Sequence, residues 1–412
     1  MTESTPLRWG LITRNQRQTL LAAGLGWMLD AFDVMLYSLV LATLIREFGM
    51  TKGTAGLLNT LTLMASAFGS LLFGTLADRY GRRRMLSLSI LTYSFFTFAC
   101  GFSTSISTLA VFRLLLGLGM GGEWNTGATL VAETWPSHWR GRALGIVQSS
   151  WSIGYALAAI VAHVVLVRAG WRWVFFVGVA PALVTFWIQR GVPEPAIWQQ
   201  AVIQARTQRK SGTASLWRAS LPELIPLLAM NTFGMFSYWG LFSWMPAYLG
   251  LPFSQGGRNF QMLGVTSFLV TLNLLAMLPG YLLFGVLADR FGRRHMLVLF
   301  PVMAAALVPF FAAARRPWVV LLTACLVAFF GTGFFTGSGI VGSELFPTPI
   351  RATALGITYN AARGISAFAP LIIGTIGQAR GLSWAFVLCG ISFALAALCA
   401  LWIPETQHLE LT

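Results

Sequence analysis

The chain has 412 residues, of which 56% are hydrophobic and only 10% charged, with a mean hydropathy of +0.70. An ordinary soluble domain carries about 25% charged residues, so this composition excludes a soluble globular protein. The net charge of +15 raises the question of nucleic acid, but the basic residues divide by membrane side along the chain, and no nucleic-acid partner is expected.

Apolar runs of membrane-spanning length recur from end to end. They place twelve spans at 19–45, 54–76, 85–102, 106–130, 142–167, 171–190, 222–249, 262–287, 296–313, 317–340, 352–376 and 383–403. No alternating ten-residue pattern suggests a barrel. The fold class is therefore an all-α polytopic membrane protein embedded in a lipid bilayer. The polar, basic start MTESTPLRWGLITRNQRQ carries no cleavable signal pattern. With both termini placed in the cytoplasm, 18 of the 28 basic residues fall on the cytoplasmic side, as the positive-inside rule requires. Arg315 and Arg316 run against it.

Span 1 contains GLGWMLDAFDVMLYSLV, with Asp30 and Asp33 in an otherwise apolar stretch. By helical rise they lie roughly 16 and 21 Å into the bilayer. Each would cost about 2.5–3.5 kcal/mol at mid-bilayer, so a lipid-facing position is excluded. Their spacing puts them on one helix face with Tyr37 a turn beyond. After span 2 comes GTLADRYGRRR at 74–84, holding Asp78, Arg79, Arg82 and Arg83. Span 4 carries Arg113 and Glu123, roughly 10 and 25 Å from its outer end. Depth matching brings Arg113 toward Asp33 and Glu123 toward Asp30, and makes Arg113 the expected partner of at least one aspartate. The stretch AETWPSHWRGRALG at 132–145 follows, with Glu133, Arg140 and Arg142. Span 5 adds Gln148 and Trp151, and His163 near its outer end is read as interfacial. The polar segment 191–221 is expected to link an N-terminal half, 1–190, to a C-terminal half, 222–412.

Span 7 contributes Asn231, Tyr238 and Trp239 as candidate pocket residues. After span 8, GVLADRFGRRH at 285–295 repeats the earlier loop at an offset of 211 and supplies Asp289, Arg290 and Arg293. SELFPTPIRATALG at 343–356 repeats 132–145 at the same offset, so that Glu344 answers Glu133 and Arg351 answers Arg140. Pro193-Glu194 and Pro404-Glu405 repeat it again. Arg363 lies roughly 17 Å into span 11, and the offset maps it to Ser152.

Two six-span halves joined by this doubled G-x-L-A-D-R-x-G-R-R loop resemble the major facilitator transporters. DAFD in span 1, with RLLLGLGMGGEWNTGATLVAETWPSHWRG, resembles the proton-coupled sialate and lactate permeases. The first resemblance implies that the paired loops latch the halves and that spans 1 and 4 line a central cavity. The second implies an organic acid as substrate. Features shared by both halves belong to scaffold and gating: Asp78, Arg79, Arg82, Arg83, Glu133, Arg140, Asp289, Arg290, Arg293, Glu344 and Arg351, with Arg142 of the same loop placed beside them. Unrepeated polar residues are candidates for substrate and proton. Asp30, Asp33 and Glu123 are the expected proton-coupling acids. Arg113 and Arg363 are the expected carboxylate grips, since a guanidinium binds a carboxylate through two parallel hydrogen bonds. Tyr37, Asn231, Tyr238 and Gln148 are further candidates for the substrate site.

No phosphate-cradling G-x-x-x-x-G-K-[ST] loop occurs, and the only lysines are Lys52 and Lys210. The cysteines, Cys100, Cys325, Cys389 and Cys399, show no metal or disulfide spacing. Neither catalysis, cofactor nor metal is expected. The expected activity is symport of a small organic anion, monocarboxylate or sialate-like, with protons, by alternating access in a multi-pass inner cell membrane protein acting as a monomer. Proton-driven export of amphipathic compounds and sugar-type uniport compete with it, and intramembrane arginines beside acids argue against both.

Overall fold

The computed structural model describes residues 12–194, 213–346 and 348–407. The expectations made for the extreme N-terminus and for the middle of the linker, including Arg206, Arg209 and Lys210, lie outside the described residues.

Twelve spanning elements follow one another. They are α1 (Arg14–Glu47), α2 (Lys52–Tyr80), α3 (Arg82–Cys100), α4 (Ile106–Thr134), α5 (Ser137–Ala169) and α6 (Trp171–Val177, continued by Ala182–Gly191). The second set comprises α7 (Thr213–Phe242, continued by Met245–Gly250), α8 (Met262–Leu272 to Leu278–Phe291), α9 (Arg293–Ala313), α10 (Pro317–Leu345), α11 (Thr348–Ser366, continued by Ala369–Arg380) and α12 (Leu382–Ala400). By length and composition, nine of the described helices qualify as membrane spans; the other three spanning elements are α3, α7 and α11. Helix α7 begins at Thr213, inside the stretch expected as linker.

Prolines mark most of the breaks. An internal proline lacks the N–H of the helical ladder and its ring crowds the preceding turn. Accordingly α7 is interrupted just before Pro246, α11 just before Pro370, and α8 passes through a π turn at Asn273–Met277 before Pro279. Pro222 and Pro226 are carried inside α7.

In the first half α1 packs on α4 and α5, while α2 and α3 pack on α4. In the second, α7 packs on α11 and α12, α9 on α10 and α12, and α8 on α10. Small residues permit the tightest of these contacts: a Cβ at Gly117 or Gly121 of α4 would collide with the α2 backbone. The halves meet where α2 lies on α11, α5 on α8 and α10, and α1 on the last segment of α7. The repeat is visible in the backbone. Gly81 and Gly292, at φ 109° and 101°, turn the chain between α2 and α3 and between α8 and α9. Only glycine enters that region without strain, which explains its place in both signature loops.

Candidate functional site

The signature loops fold into matching networks. Arg82 donates to Glu133 at 3.2 Å, and its counterpart Arg293 pairs with Glu344 at 2.9 Å. Arg293 also pairs with Asp289 one turn earlier. Glu194 accepts the backbone N–H groups of Arg82 and Arg83 at 2.9 and 3.3 Å, and Glu405 those of Arg293 and Arg294 at 2.9 and 3.1 Å. A carboxylate at a helix start satisfies donors that have no partner within the helix. For Glu405, burial is the largest influence and works to raise its pKa, but bonds from four backbone N–H groups outweigh it and hold the carboxyl below its ordinary value. Neither Glu194 nor Glu405 was assigned a role from sequence; the third recurrence of the offset was the available signal. Arg79, Arg142 and Arg290 are exposed, and Arg79 and Arg290 lie against Tyr80 and Phe291. The side chains of Asp78, Arg140 and Arg351 lie outside what is described.

Between the halves lies a narrow pocket. Its walls are Trp27 of α1, Gln148 and Trp151 of α5, Met235, Tyr238 and Trp239 of α7, Tyr281 of α8, Phe335 of α10, and Tyr359 and Arg363 of α11. Every span that contributes comes from the seam between halves. Trp151 is central: its ring lies 4.7 Å from Trp27 and 5.9 Å from Trp239, and its Nε1 donates to the Tyr238 hydroxyl at 2.6 Å. Trp124 stacks on Tyr359 at 5.5 Å just behind the wall. The site is a slot walled mostly by rings, most of which carry a hydrogen-bonding atom.

Arg363 is the one cationic residue in that wall. It is 2% exposed, its guanidinium lies 5.9 Å from the Trp239 ring, and its Nε and Nη2 have no hydrogen-bond partner. Asp30 and Glu123 both lie within electrostatic reach of it, and of each other. Both are 1% exposed, with Oδ2 of Asp30 and both Glu123 oxygens unpartnered. Asp33, equally buried, accepts from Thr97 of α3 at 3.1 Å and faces Asp30.

Arg113 is placed differently from expectation. It is fully buried within the first half, 4.2 Å over the Tyr37 ring, and donates to Asn59 at 3.1 Å. It pairs with neither aspartate and does not line the cavity. Helical rise fixed its depth but not its direction, and α4 turns it toward α1 and α2. Tyr37 goes with it, donating to the Ala55 carbonyl at 2.8 Å. Asn231 likewise lies outside the cavity wall, bonded to the Thr358 carbonyl at 3.3 Å. Gln148, Tyr238 and Arg363 are the expected substrate residues that the structure brings together.

Trp27, Tyr281, Phe335 and Tyr359 were missed, and the offset held the signal for three of them. Shifted by 211, Trp27 falls on Tyr238, Gln148 on Tyr359 and Trp124 on Phe335. Part of the slot is thus built from equivalent positions of the two halves, while Trp151, Trp239, Tyr281 and Arg363 map to Ala362, Met28, Ser70 and Ser152.

The sequence model of the Major Facilitator Superfamily matches residues 23–265 and 257–411. The chain is 33% identical over 405 residues to a probable 4-methylmuconolactone transporter of Cupriavidus pinatubonensis, covering 96% of this chain and 92% of that one. It is 30% identical over 390 residues to the sialic acid transporter NanX of Escherichia coli, covering 92% of each. Among solved structures, a D-xylose-proton symporter superposes with a TM-score of 0.78 at 20% identity, covering 97% of this chain and 100% of that one. The doubled signature loop, the paired halves and these matches together establish that the chain belongs to the Major Facilitator Superfamily.

Proposed function

We propose that this protein is a proton-coupled symporter of a small, flat organic anion. The observation that carries the reading is Arg363: a buried guanidinium with two unpartnered donors, in the wall of a slot made mostly of rings. A carboxylate supplies the parallel acceptors it needs, and a planar unsaturated body suits a wall made mostly of aromatic rings. The relatives' carboxylic acid substrates support an acid. The aromatic faces that make up most of the wall favour a flat acid over a polyhydroxylated one such as sialate.

Coupling follows from competition for one cation. While the site is empty, Asp30 and Glu123 share the field of Arg363. A substrate carboxylate takes that field over, and a buried acid left without its cation is neutralised by a proton. Substrate and proton therefore bind together and leave together. Asp33 lies next in line, within reach of Asp30. Alternating access then moves the loaded slot between the two faces, with the paired loops holding the halves. The proposal includes a monomer in the inner cell membrane, with both termini cytoplasmic and the halves divided at 191–221.

The test is uptake into liposomes of cis,cis-muconate, benzoate, lactate and sialate, with and without an inward proton gradient. Accumulation of the flat acids that requires the gradient is expected. Gradient-independent equilibration, or preference for sialate over every flat acid, would overturn the reading.

A further inference from the structure

On the face away from the termini, the halves are joined by a residue that the sequence did not single out. Lys52 opens α2, yet it is only 8% exposed. Its Nζ donates to the carbonyls of Gln255 at 2.7 Å and Gly377 at 3.4 Å, while its backbone N–H donates to the Gln378 side chain at 3.3 Å. All three acceptors belong to the second half. The backbones touch at the same place: a Cβ on Gly56 of α2 would collide with Pro370 of α11, and one on Gly374 would come within 2.5 Å of the Lys52 carbonyl.

A positive charge in the first turn of a helix opposes that helix's own dipole, whereas one beside the last carbonyls of a helix is favoured. Lys52 stands in the first turn of α2, and the Gly377 carbonyl stands in the last turn of α11. The charge thus disfavours the helix that carries it and suits a helix of the opposite half. Its counterpart at the offset of 211 is Leu263, 63% exposed and apolar, so the device exists once. No carboxylate pairs with it among the described residues. Its acceptors are neutral carbonyls, which water can replace when the faces part, so the bond is strong enough to bias the closed state without locking it.

We infer that Lys52 is the latch of the gate on the face away from the termini and stabilises the state in which that face is shut. Trp151–Tyr238 and the bond from the Tyr155 hydroxyl to the Phe242 carbonyl, at 3.1 Å, join the halves deeper in the same seam. Lys52 closes it at the rim. The inference rests on the alternating access of the family and needs neither proton coupling nor a particular substrate.

The experiment is pulsed electron–electron spin resonance in nanodiscs, with spin labels at Leu57 and Ala379, exposed positions on α2 and α11. Lys52→Met should raise the ratio of the long-distance to the short-distance population about tenfold, the factor that corresponds to about 1.4 kcal/mol. Lys52→Arg keeps donors and charge and should retain the parent distribution. An unchanged distribution in Lys52→Met would overturn the latch. So would a Lys52→Arg variant that opens as far as Lys52→Met, since packing of the amine would then be the cause. Should Lys52→Met not yield folded protein, Lys52→Gln, which loses the charge but can still donate, gives the same readout, with an intermediate shift expected.

Discussion

Two buried arginines share a depth in the membrane and keep different company. Arg113 lies wholly inside the first half, with a tyrosine ring beneath it and an asparagine in front. Arg363 lies in the seam between halves, in the wall of a slot made mostly of aromatic rings, with two of its donors unpartnered. Both are unrepeated cations deep in the membrane, and by depth alone both suit a substrate carboxylate. The difference is in who shares the space. Arg113 has neighbours from its own half, which move with it. Arg363 has acids from the first half and rings from both, so its surroundings change as the halves move. A cation at the seam can exchange partners during transport, whereas one inside a half serves as part of the frame.

The largest expected effect follows from that contrast. Arg363→Ala should weaken binding of a flat acid by about 100-fold, in line with the roughly 1.5–3 kcal/mol of each hydrogen bond to a charged group. Arg363→Lys should recover little, because the planar fork is lost. Titration calorimetry in detergent reads both. Next come the acids. Asp30→Asn and Glu123→Gln, each resembling the protonated form, should abolish uptake driven by a pH gradient while sparing substrate-for-substrate exchange. Asp33→Asn, one residue further from Arg363 in the line of acids, should lower the driven rate less. If all three variants still accumulate substrate with unchanged pH dependence, the proton takes another route. Arg113→Lys should shift binding by no more than about threefold and instead lower the melting temperature, since a buried cation network is disturbed at a cost of about 1–3 kcal/mol. A binding loss as deep as that of Arg363→Lys would erase the distinction between the two.

The smallest effect concerns the helix caps. Glu405→Gln should cost about 1 kcal/mol of stability, the usual worth of a helix cap. Because its folded pKa is lowered, Glu405 contributes stability that is fully present above the ordinary glutamate value and is lost as pH falls through the folded value. The melting difference between Glu405→Gln and the parent should therefore be present at neutral pH and vanish in acid.

The sequence made the spans, the doubled loops and the buried acids legible because each is written in one dimension. Run length gives a span, a fixed offset gives a repeat, and rise per residue gives a depth. Glu133 with Arg82, and Glu344 with Arg293, could be anticipated as matching members of the repeated loops on those grounds. Azimuth is the missing coordinate. Each residue turns the helix by about 100°, and which neighbour then lies in front depends on how all twelve elements pack. That is why Arg113 and Asn231 were expected in the cavity and are found outside it. Proline breaks in α7, α8 and α11 add rotations that no periodic reading follows. The walls of the slot were hidden for another reason. Aromatic residues are common in membrane helices, and Trp27, Tyr359 and Phe335 stand out only once the offset of 211 shows that each answers another cavity residue or its neighbour.

The central claim is that Arg363, and not Arg113, holds the substrate's carboxylate. Its most direct test is charge discrimination: the affinity for benzoate compared with that for benzamide, which keeps the flat ring and loses the charge. The parent protein should prefer the acid, Arg113→Gln should keep that preference, and Arg363→Gln should bind the two alike. A preference that survives in Arg363→Gln and disappears in Arg113→Gln would contradict the account.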